Sequence, residues 1–303
     1  DGHMNRVVRH AIDCGCDPLI AIQMATINTA CHFGMERELG SITPGRRADF
    51  IVTSSINDLP IDVVFARGER VAENGKLLTK CPHYEWPQTV RKTVNLGKKL
   101  ELKDFVISVP TGLSSVKAKV IGVIENQAPT KALEFDLPVK QGTVQVEGDV
   151  CYLSLVERHR GTGAVVNGFV SGFGYTGSMA IASSVAHDSH HMIVVGTNQE
   201  MMACAANRLG EVGGGVSLWK DGSEVALVEL PIAGLMSDSK ASDVAVKAQA
   251  IVSAMIDCGC TLNNAYMQHT LLALVVIPEL RISDLGLVDV NRFELTKIIE
   301  TNF

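Results

Sequence analysis

The stretch that most restricts the fold is residues 180–196, AIASSVAHDSHHMIVVG. A polar segment, HDSHH at 187–191, separates two apolar runs of strand character, and we call it the histidine knot. It holds three of the nine histidines of the chain. Polar loops between two rigid apolar strands commonly carry catalytic or binding residues. The segment therefore predicts two neighbouring buried strands joined by a candidate site.

The residue types of the knot allow two interpretations. Three imidazoles and a carboxylate can bind a metal ion or relay protons, since both tasks need lone pairs near neutral pH. Alternatively, the segment is a polar loop whose histidines cap strand ends. Alternation along a strand would send His187, Ser189 and His191 to one face and Asp188 and His190 to the other. These residues can serve one site only if the segment bends.

Length and composition narrow the class of protein. A chain of 303 residues suggests about two domains, and 46% hydrophobic residues suffice for real cores. The net charge of -6 comes without a basic block, which argues against a nucleic-acid surface. No apolar run reaches the roughly 18 residues that span a bilayer, so no membrane partner is expected. The eight cysteines are scattered, which favours a reduced, cytoplasmic protein over a disulfide framework.

The first 31 residues predict two helices. The pattern is helical from Asn5 until Gly15, a residue suited to end a helix. Asp17 is then expected to cap a second helix with Pro18 in its first turn. That helix carries an apolar stripe with the spacing of a buried face, formed by Ile20, Met24, Ile27 and Cys31. If the helix belongs to an incomplete barrel, we expect Ile20, Met24 and Ile27 to be exposed unless a partner covers them.

Two segments that follow, MATINTACHFGM and LGSITPGRRADFIV, resemble the end of the metal-dependent amidohydrolase superfamily. In that superfamily the last barrel helix carries A-T-x-N-x-A, and a G-x-I-x-P-G-x-x-A-D turn leads into a small β-domain. The matching residues here are Ala25, Thr26, Asn28, Ala30, Gly40, Ile42, Pro44, Gly45, Ala48 and Asp49. Strands are expected at 50–52, 63–66 and 76–78, with turns at Arg67-Gly68 and Asn74-Gly75.

Later segments predict a mixture of strands and helices. Strands are expected at 105–109, 117–124, 132–139, 150–156, 216–219 and 224–230, with the last two joined by a turn at Asp221-Gly222. Thr197 and Glu200 predict a capping box that opens a helix over 201–209, and the glycine triplet at 213–215 ends it. A second long helix is expected to bury Val244, Ala248, Ile251 and Met255.

Three long segments sharpen the resemblance to one family, the bacterial-type adenine deaminases. They are VERHRGTGAVVNGFVSGFG, AIASSVAHDSHHMIVVGTNQEMMACAANRLGEVGGGV and ELPIAGLMSD, and they look like the C-terminal domain of that family. The chain departs from the pattern at His191, where asparagine is expected, and at Arg160, where a second histidine is common.

The resemblance implies hydrolysis of adenine to hypoxanthine and ammonia, as in purine salvage, by a homo-oligomer that uses a divalent metal such as Mn, Fe or Zn. The metal ligands of the family lie on barrel strands that have no counterpart here. We therefore expect the ligands before residue 1, an N-terminal barrel half as the missing partner, no metal in this chain, and no turnover by this chain alone.

The expected fold class is α+β. Residues 1–35 are predicted to be terminal helices of an incomplete (β/α) barrel, 36–80 a small β-domain, 81–100 a linker, and 101–303 a separate α+β domain. We expect the histidine knot to face the barrel mouth at the domain interface, because barrel sites open at the C-terminal ends of the strands. His187, Asp188 and His190 are the candidate catalytic residues, with Asp188 orienting an imidazole or accepting from a purine nitrogen.

Several alternatives stay open at this point. The chain could be a non-catalytic oligomerisation or binding module that keeps only this fold, or part of an amidohydrolase acting on another cyclic amide or amidine. The turn at 158–163 could hold an anion with its arginines and backbone amides, although a solvated turn is favoured. The repeated Cys-Gly-Cys at 14–16 and 258–260 could bind zinc, although its spacing is tighter than structural sites use.

Overall fold

The computed structural model describes residues 3–80 and 84–299 and divides the chain into two compact units, Asp1–Glu85 and Trp86–Phe303. Both helices and strands are present, which confirms the predicted α+β class. None of the helices in the described ranges has both the length and the hydropathy that a bilayer crossing requires.

The first unit contains three helices and one small sheet. Its elements are α1 (Met4–Asp13), α2 (Pro18–Met24), α3 (Ile27–His32), β1 (Phe50–Val52), β2 (Val63–Ala66), β3 (Glu69–Glu73) and β4 (Lys76–Leu77). The four strands pair antiparallel in the order β1-β2-β3-β4. The Asp17 carboxylate accepts from the N–H groups of Leu19 and Ile20, which confirms the predicted cap of α2.

The apolar stripe of the second helix lies largely at the surface, as predicted for an incomplete barrel. The helical segment breaks between α2 and α3, and Ile20 and Met24 are 52% and 58% exposed. Ile27 is half-buried and Cys31 is exposed. The stripe has the spacing of a buried helix face, but no other described part of the first unit covers it.

The second unit is built on a nine-stranded sheet. Its strands are β5 (Ser115–Val123), β6 (Thr130–Lys140), β7 (Thr143–Val144), β8 (Val150–Val156), β9 (Val165–Ser171), β10 (Met179–Ser183), β11 (Met192–Gly196), β12 (Gly215–Lys220) and β13 (Ser223–Glu229). They lie in the order β13-β12-β10-β11-β8-β9-β5-β6-β7. The β5–β9 pair is parallel, and the other pairs are antiparallel.

Helices cover both faces of this sheet. The remaining elements are α4 (Gln88–Arg91), a 3-10 turn at Leu102–Phe105, α5 (Gln199–Val212), α6 (Ala241–Asp257), α7 (Ala265–Leu271), and a three-stranded sheet of β14 (Leu280–Ser283), β15 (Gly286–Asp289) and β16 (Glu294–Thr296). Ala180 and Ala182 pack in one core with α5, whereas Ile181 packs in the other with α6. The period-2 alternation of β10 therefore builds both layers.

Three local predictions in this unit are wrong in detail. Asn198, not Thr197, caps α5, which begins at Gln199. The strand expected over 105–109 does not form: Phe105 ends a 3-10 turn that begins at Leu102, and Ser108 makes an isolated bridge to Thr143. Ala248 is exposed on α6, although Ile251 and Met255 are buried as predicted.

Residues 86–100 differ from the linker that the sequence suggested. Leu96 and Leu100 are buried in the core beside α5, and the N–H of Asn95 donates to Arg158 O at 2.8 Å. These residues are part of the second unit, whereas residues 81–83 lie outside the described ranges. The predicted domain bounds themselves stay predictions.

Candidate functional site

The histidine knot joins β10 to β11, two adjacent antiparallel strands with buried side chains. The segment bends: the His190 N–H donates to Ala186 O at 2.7 Å, and His190 has a positive φ of 51°. Strict alternation between two faces therefore does not apply here. The rings of His187 and His190 meet edge to face, with centroids 5.4 Å apart.

The three predicted site residues differ in their surroundings. His187 is half-buried, and its backbone N–H donates to Thr270 O at 3.0 Å. Asp188 is exposed and His190 is half-buried. Burial lowers the pKa of His190, and the neighbouring His187 and Arg158 lower this pKa further, while Asp188 raises it by less. The neutral imidazole of His190 therefore has a lone pair available at neutral pH.

The knot does not form a metal centre. Across residues 3–80 and 84–299, no group of three or more His, Cys, Asp or Glu side chains is placed to hold an ion. His159 Nε2 lies 2.8 Å from Ser189 O and, as the carbonyl accepts, must donate. Of the repeated Cys-Gly-Cys residues, Cys14 is exposed, whereas Cys258 and Cys260 are buried.

Arg158 holds the histidine knot in place through a hydrogen bond to its backbone. Its side chain is 1% exposed, its Nε donates to His190 O at 2.5 Å, and Nη1 and Nη2 each lie 3.3 Å from Ala233 O. A Cβ on Gly234 would lie 2.7 Å from Nη1, so the ELPIAGLMSD segment must pass close to the guanidinium. The three segments that resemble one family therefore meet at this side chain.

Glu157 organises the neighbouring turn at 158–163. Its carboxylate accepts from the backbone N–H groups of His159, Arg160 and Thr162, and from the Thr162 hydroxyl. Burial raises the pKa of this carboxyl, but the N–H groups of Thr162, Arg160 and His159 outweigh burial, and the pKa falls to about 2. The anion held by these three amides is the chain's own carboxylate, so they are not available to a bound anion.

Beside the knot lies a cavity of about 360 Å³ within the second unit. It is lined by Leu155, Glu157, His159, Arg160, Thr162, Ala164, Val166, His191 and Asp284. The described residues that line it do not include His187, Asp188 or His190. The structure thus places two imidazoles at the cavity, those of His159 and His191, with ring centroids 4.8 Å apart.

Sequence patterns missed this cavity because its walls come from distant segments. In the sequence, residues 159–162 belong to a turn, whereas residue 191 belongs to the histidine knot. Asp284 lies in the turn between β14 and β15 and carries no motif of its own. Only the pairing of β8 with β9 and β11 brings these segments together.

The chain matches two family models. The adenine deaminase C-terminal domain matches residues 127–294, and the amidohydrolase family matches residues 1–71.

Curated relatives match nearly all of the chain. The adenine deaminase of Ruegeria pomeroyi is 70% identical over 303 residues, which are 99% of this chain and 50% of that protein. The adenine deaminases of Roseobacter denitrificans and Moorella thermoacetica are 69% and 43% identical over 301 and 300 residues, again 50% of each relative. The chain thus spans about half the length of the curated relatives it matches.

Proposed function

The chain belongs to the adenine deaminase family, and we propose that it is part of an enzyme that hydrolyses adenine to hypoxanthine and ammonia. The observation that carries the proposal is 70% identity over 99% of the chain to a protein named adenine deaminase. The match at residues 127–294 favours this activity over that of another cyclic amidohydrolase, for which residues 1–71 alone would be equally good support.

We further propose that the divalent metal implied by the amidohydrolase family, Mn, Fe or Zn, is bound by residues that precede residue 1 in the complete enzyme, in the half of the curated relatives that this chain does not cover. The side chains of residues 3–80 and 84–299 do not fit a metal ion, because no group of three His, Cys, Asp or Glu residues is placed to bind one. In addition, His159 Nε2 already donates to Ser189 O. By this proposal the 303-residue chain alone gives no turnover with added Mn²⁺ or Fe²⁺.

A chimera tests the proposed activity. In the Ruegeria pomeroyi protein, the segment of 303 matched residues is replaced by this chain, and hypoxanthine formation is measured with added Mn²⁺ or Fe²⁺. We expect turnover within about tenfold of the parent protein, and none from the parent without that segment. A folded chimera without turnover would contradict the proposal and favour a non-catalytic module.

We propose that the histidine knot takes part in the reaction, with His187 or His190 moving a proton and Asp188 orienting an imidazole or accepting from a purine nitrogen. The lowered pKa of His190, caused first by burial, supports a neutral imidazole in that role.

Substitutions in the chimera test this role. His190→Ala and Asp188→Ala should each lower kcat at least tenfold, about 1.4 kcal/mol of barrier, with little change in Tm. Ser189→Ala is the matched control, because Ser189 is an exposed neighbour without a proposed role. Unchanged kcat with a lower Tm would mark the knot as structural.

We propose that the complete enzyme is a homo-oligomer that works in cytoplasmic purine salvage. The seven cysteines in the described ranges are free thiols, as a reducing compartment favours. Val246 and Ile256 on α6 are 72% and 60% exposed, and such apolar surface favours association. Light scattering of the chimera gives its molar mass, and a monomer would contradict this proposal.

A further inference from the structure

The cavity beside the histidine knot is lined by both apolar and polar side chains. Leu155 and Val166, which are cross-strand neighbours of β8 and β9, are among the apolar ones. His191 and Asp284, which lie close to each other, and Arg160 are among the polar ones. A volume of about 360 Å³ lies within the range of small-molecule sites.

His191 lines the cavity with an imidazole that makes no hydrogen bond among the described residues. Its side chain is nine-tenths buried, and its Nδ1 has no hydrogen-bond partner. Its Nε2, the ring nitrogen beside Asp284, lies 3.7 Å from Asp284 Oδ2, which is too long for a hydrogen bond. The Nε2 position is therefore free to donate to a ligand, whereas the carboxylate of the neighbouring Glu157 already accepts from the backbone and from Thr162.

The charges at the cavity restrict the chemistry of a ligand. The Glu157 carboxylate accepts from three backbone N–H groups and a hydroxyl, so those three amides are not available to an anion. Burial lowers the pKa of His191, and although Asp284 and Glu157 raise it, His159 and Arg158 lower it further, so the ring is neutral near pH 7. A neutral ligand therefore suits the cavity better than a metal ion or a phosphate.

His191 and Asp284 together present a donor beside an acceptor. In the tautomer with a proton on Nε2, the imidazole donates, and the adjacent Asp284 carboxylate accepts. An amidine edge, with a ring nitrogen that accepts beside an amino group that donates, is complementary to this pair. Side-chain amides bind adenine through the same alternation of donor and acceptor. The Arg160 guanidinium, which has no ion pair among the described residues, can stack on a flat ring.

We infer that this cavity binds a flat aminoheterocycle through its amidine edge, with His191 donating to the ring nitrogen and Asp284 accepting from the amino group. Among such heterocycles adenine is the choice that rests on the proposed function. Apolar contact of the ring with Leu155 and Val166 completes the site.

Equilibrium binding to the 303-residue chain tests the inference without any need for turnover. The probes are adenine and purine, since purine lacks the amino group. We expect adenine to bind saturably and at least tenfold more tightly than purine. Asp284→Ala should weaken adenine binding at least tenfold and leave Tm unchanged, because Asp284 is exposed. Asp257→Ala, which removes an exposed carboxylate outside the cavity lining, is the matched control.

Absence of saturable adenine binding to the folded chain would overturn the inference, as would equal affinity of Asp284→Ala and the unchanged chain. Neither outcome touches the chimera, whose turnover tests the proposed function separately. Conversely, the chimera could be inactive while the 303-residue chain binds adenine and loses that binding in Asp284→Ala. This result would contradict the proposed function and support the inference about the cavity.

Discussion

At the scale of single residues, Arg158 shows how a buried charge can hold three segments together through backbone carbonyls. The residue is 1% exposed, and within residues 3–80 and 84–299 its guanidinium donates to the carbonyls of His190 and Ala233 and to no carboxylate. Burial lowers its pKa, but an arginine stays protonated in proteins. The charge is stabilised by carbonyl dipoles at the bend of the histidine knot.

Replacing Arg158 should therefore cost stability. Arg158→Met leaves the carbonyls of His190 and Ala233 without donors, and we expect the free energy of unfolding to fall by about 2 to 4 kcal/mol. Urea denaturation monitored by circular dichroism measures the change. Arg160→Ala, two positions along on an exposed side chain, should change stability by less than about 0.5 kcal/mol. Equal effects of the two substitutions would contradict the role of Arg158.

Glu157 gives the second unit an acid-sensitive element. Its pKa of about 2 in the folded chain lies below its ordinary value of 4.5, so the folded state binds this proton less readily than the unfolded state. The resulting stability is fully present above about pH 5 and is lost as pH falls through 4.5 towards 2.

Glu157→Gln should remove this pH dependence. We expect the variant to be about 2 kcal/mol less stable at pH 7, because an amide cannot accept from all four donors with a full charge, and the difference to shrink by pH 3. Urea unfolding at both pH values measures it. Glu147→Gln, at an exposed carboxylate, should show no such pH-dependent difference. If the stability difference between Glu157→Gln and the unchanged chain is the same at pH 7 and pH 3, the pKa of Glu157 does not cause the acid sensitivity.

At the scale of secondary-structure elements, the start of α5 depends on Asn198. Its side-chain oxygen accepts from the N–H groups of Glu200 and Met201 at 2.9 and 3.1 Å. Asn198→Ala should lower the free energy of unfolding by about 1 kcal/mol. Glu200→Ala, which keeps both N–H groups capped, should cost clearly less. If thermal unfolding shows Glu200→Ala to be the more damaging change, the cap has been misassigned.

The same helix shows where sequence patterns stop being sufficient. Thr197 fits a capping box, yet its hydroxyl donates to Gly177 O at 2.6 Å and accepts from Met179 N–H at 3.0 Å. Those partners lie in a segment that only the tertiary fold brings close. The turn at Asp221-Gly222 was predictable, in contrast, because its left-handed backbone is a local requirement.

For the candidate site too, local features could be predicted from the sequence and tertiary contacts could not. A polar knot between two buried strands could be predicted, since both the apolar runs and the polar residues are contiguous. The contacts of the knot could not, because Arg158 and Asp284 reach it through strand pairing and a distant turn. Local sequence therefore located the knot, and sheet topology determined which imidazoles line a cavity.

At the scale of the whole molecule, the two units differ in how much hydrophobic core each one buries. The second unit buries two extensive cores on opposite faces of its sheet, with α5 on one and α6 on the other. The buried cluster of the first unit consists of Val8, Ala21 and Leu59 in the described residues. Small cores stabilise a chain poorly, and Ile20 and Met24 remain exposed beside this one.

We therefore expect the second unit to fold without the first. A fragment of residues 86–303 should unfold cooperatively in calorimetry with a Tm within about 4 °C of that of the whole chain, the shift that about 1 kcal/mol produces in a domain of this size. Residues 1–85 expressed alone should show no cooperative transition, because their core cannot offset the conformational entropy of folding. A fragment 86–303 whose Tm falls by more than 10 °C would show that the first unit contributes to the stability of the second. Hydrogen exchange of the amides in β10 and β11 gives the same comparison at the strands that carry the histidine knot, where protection should be equal in fragment and whole chain.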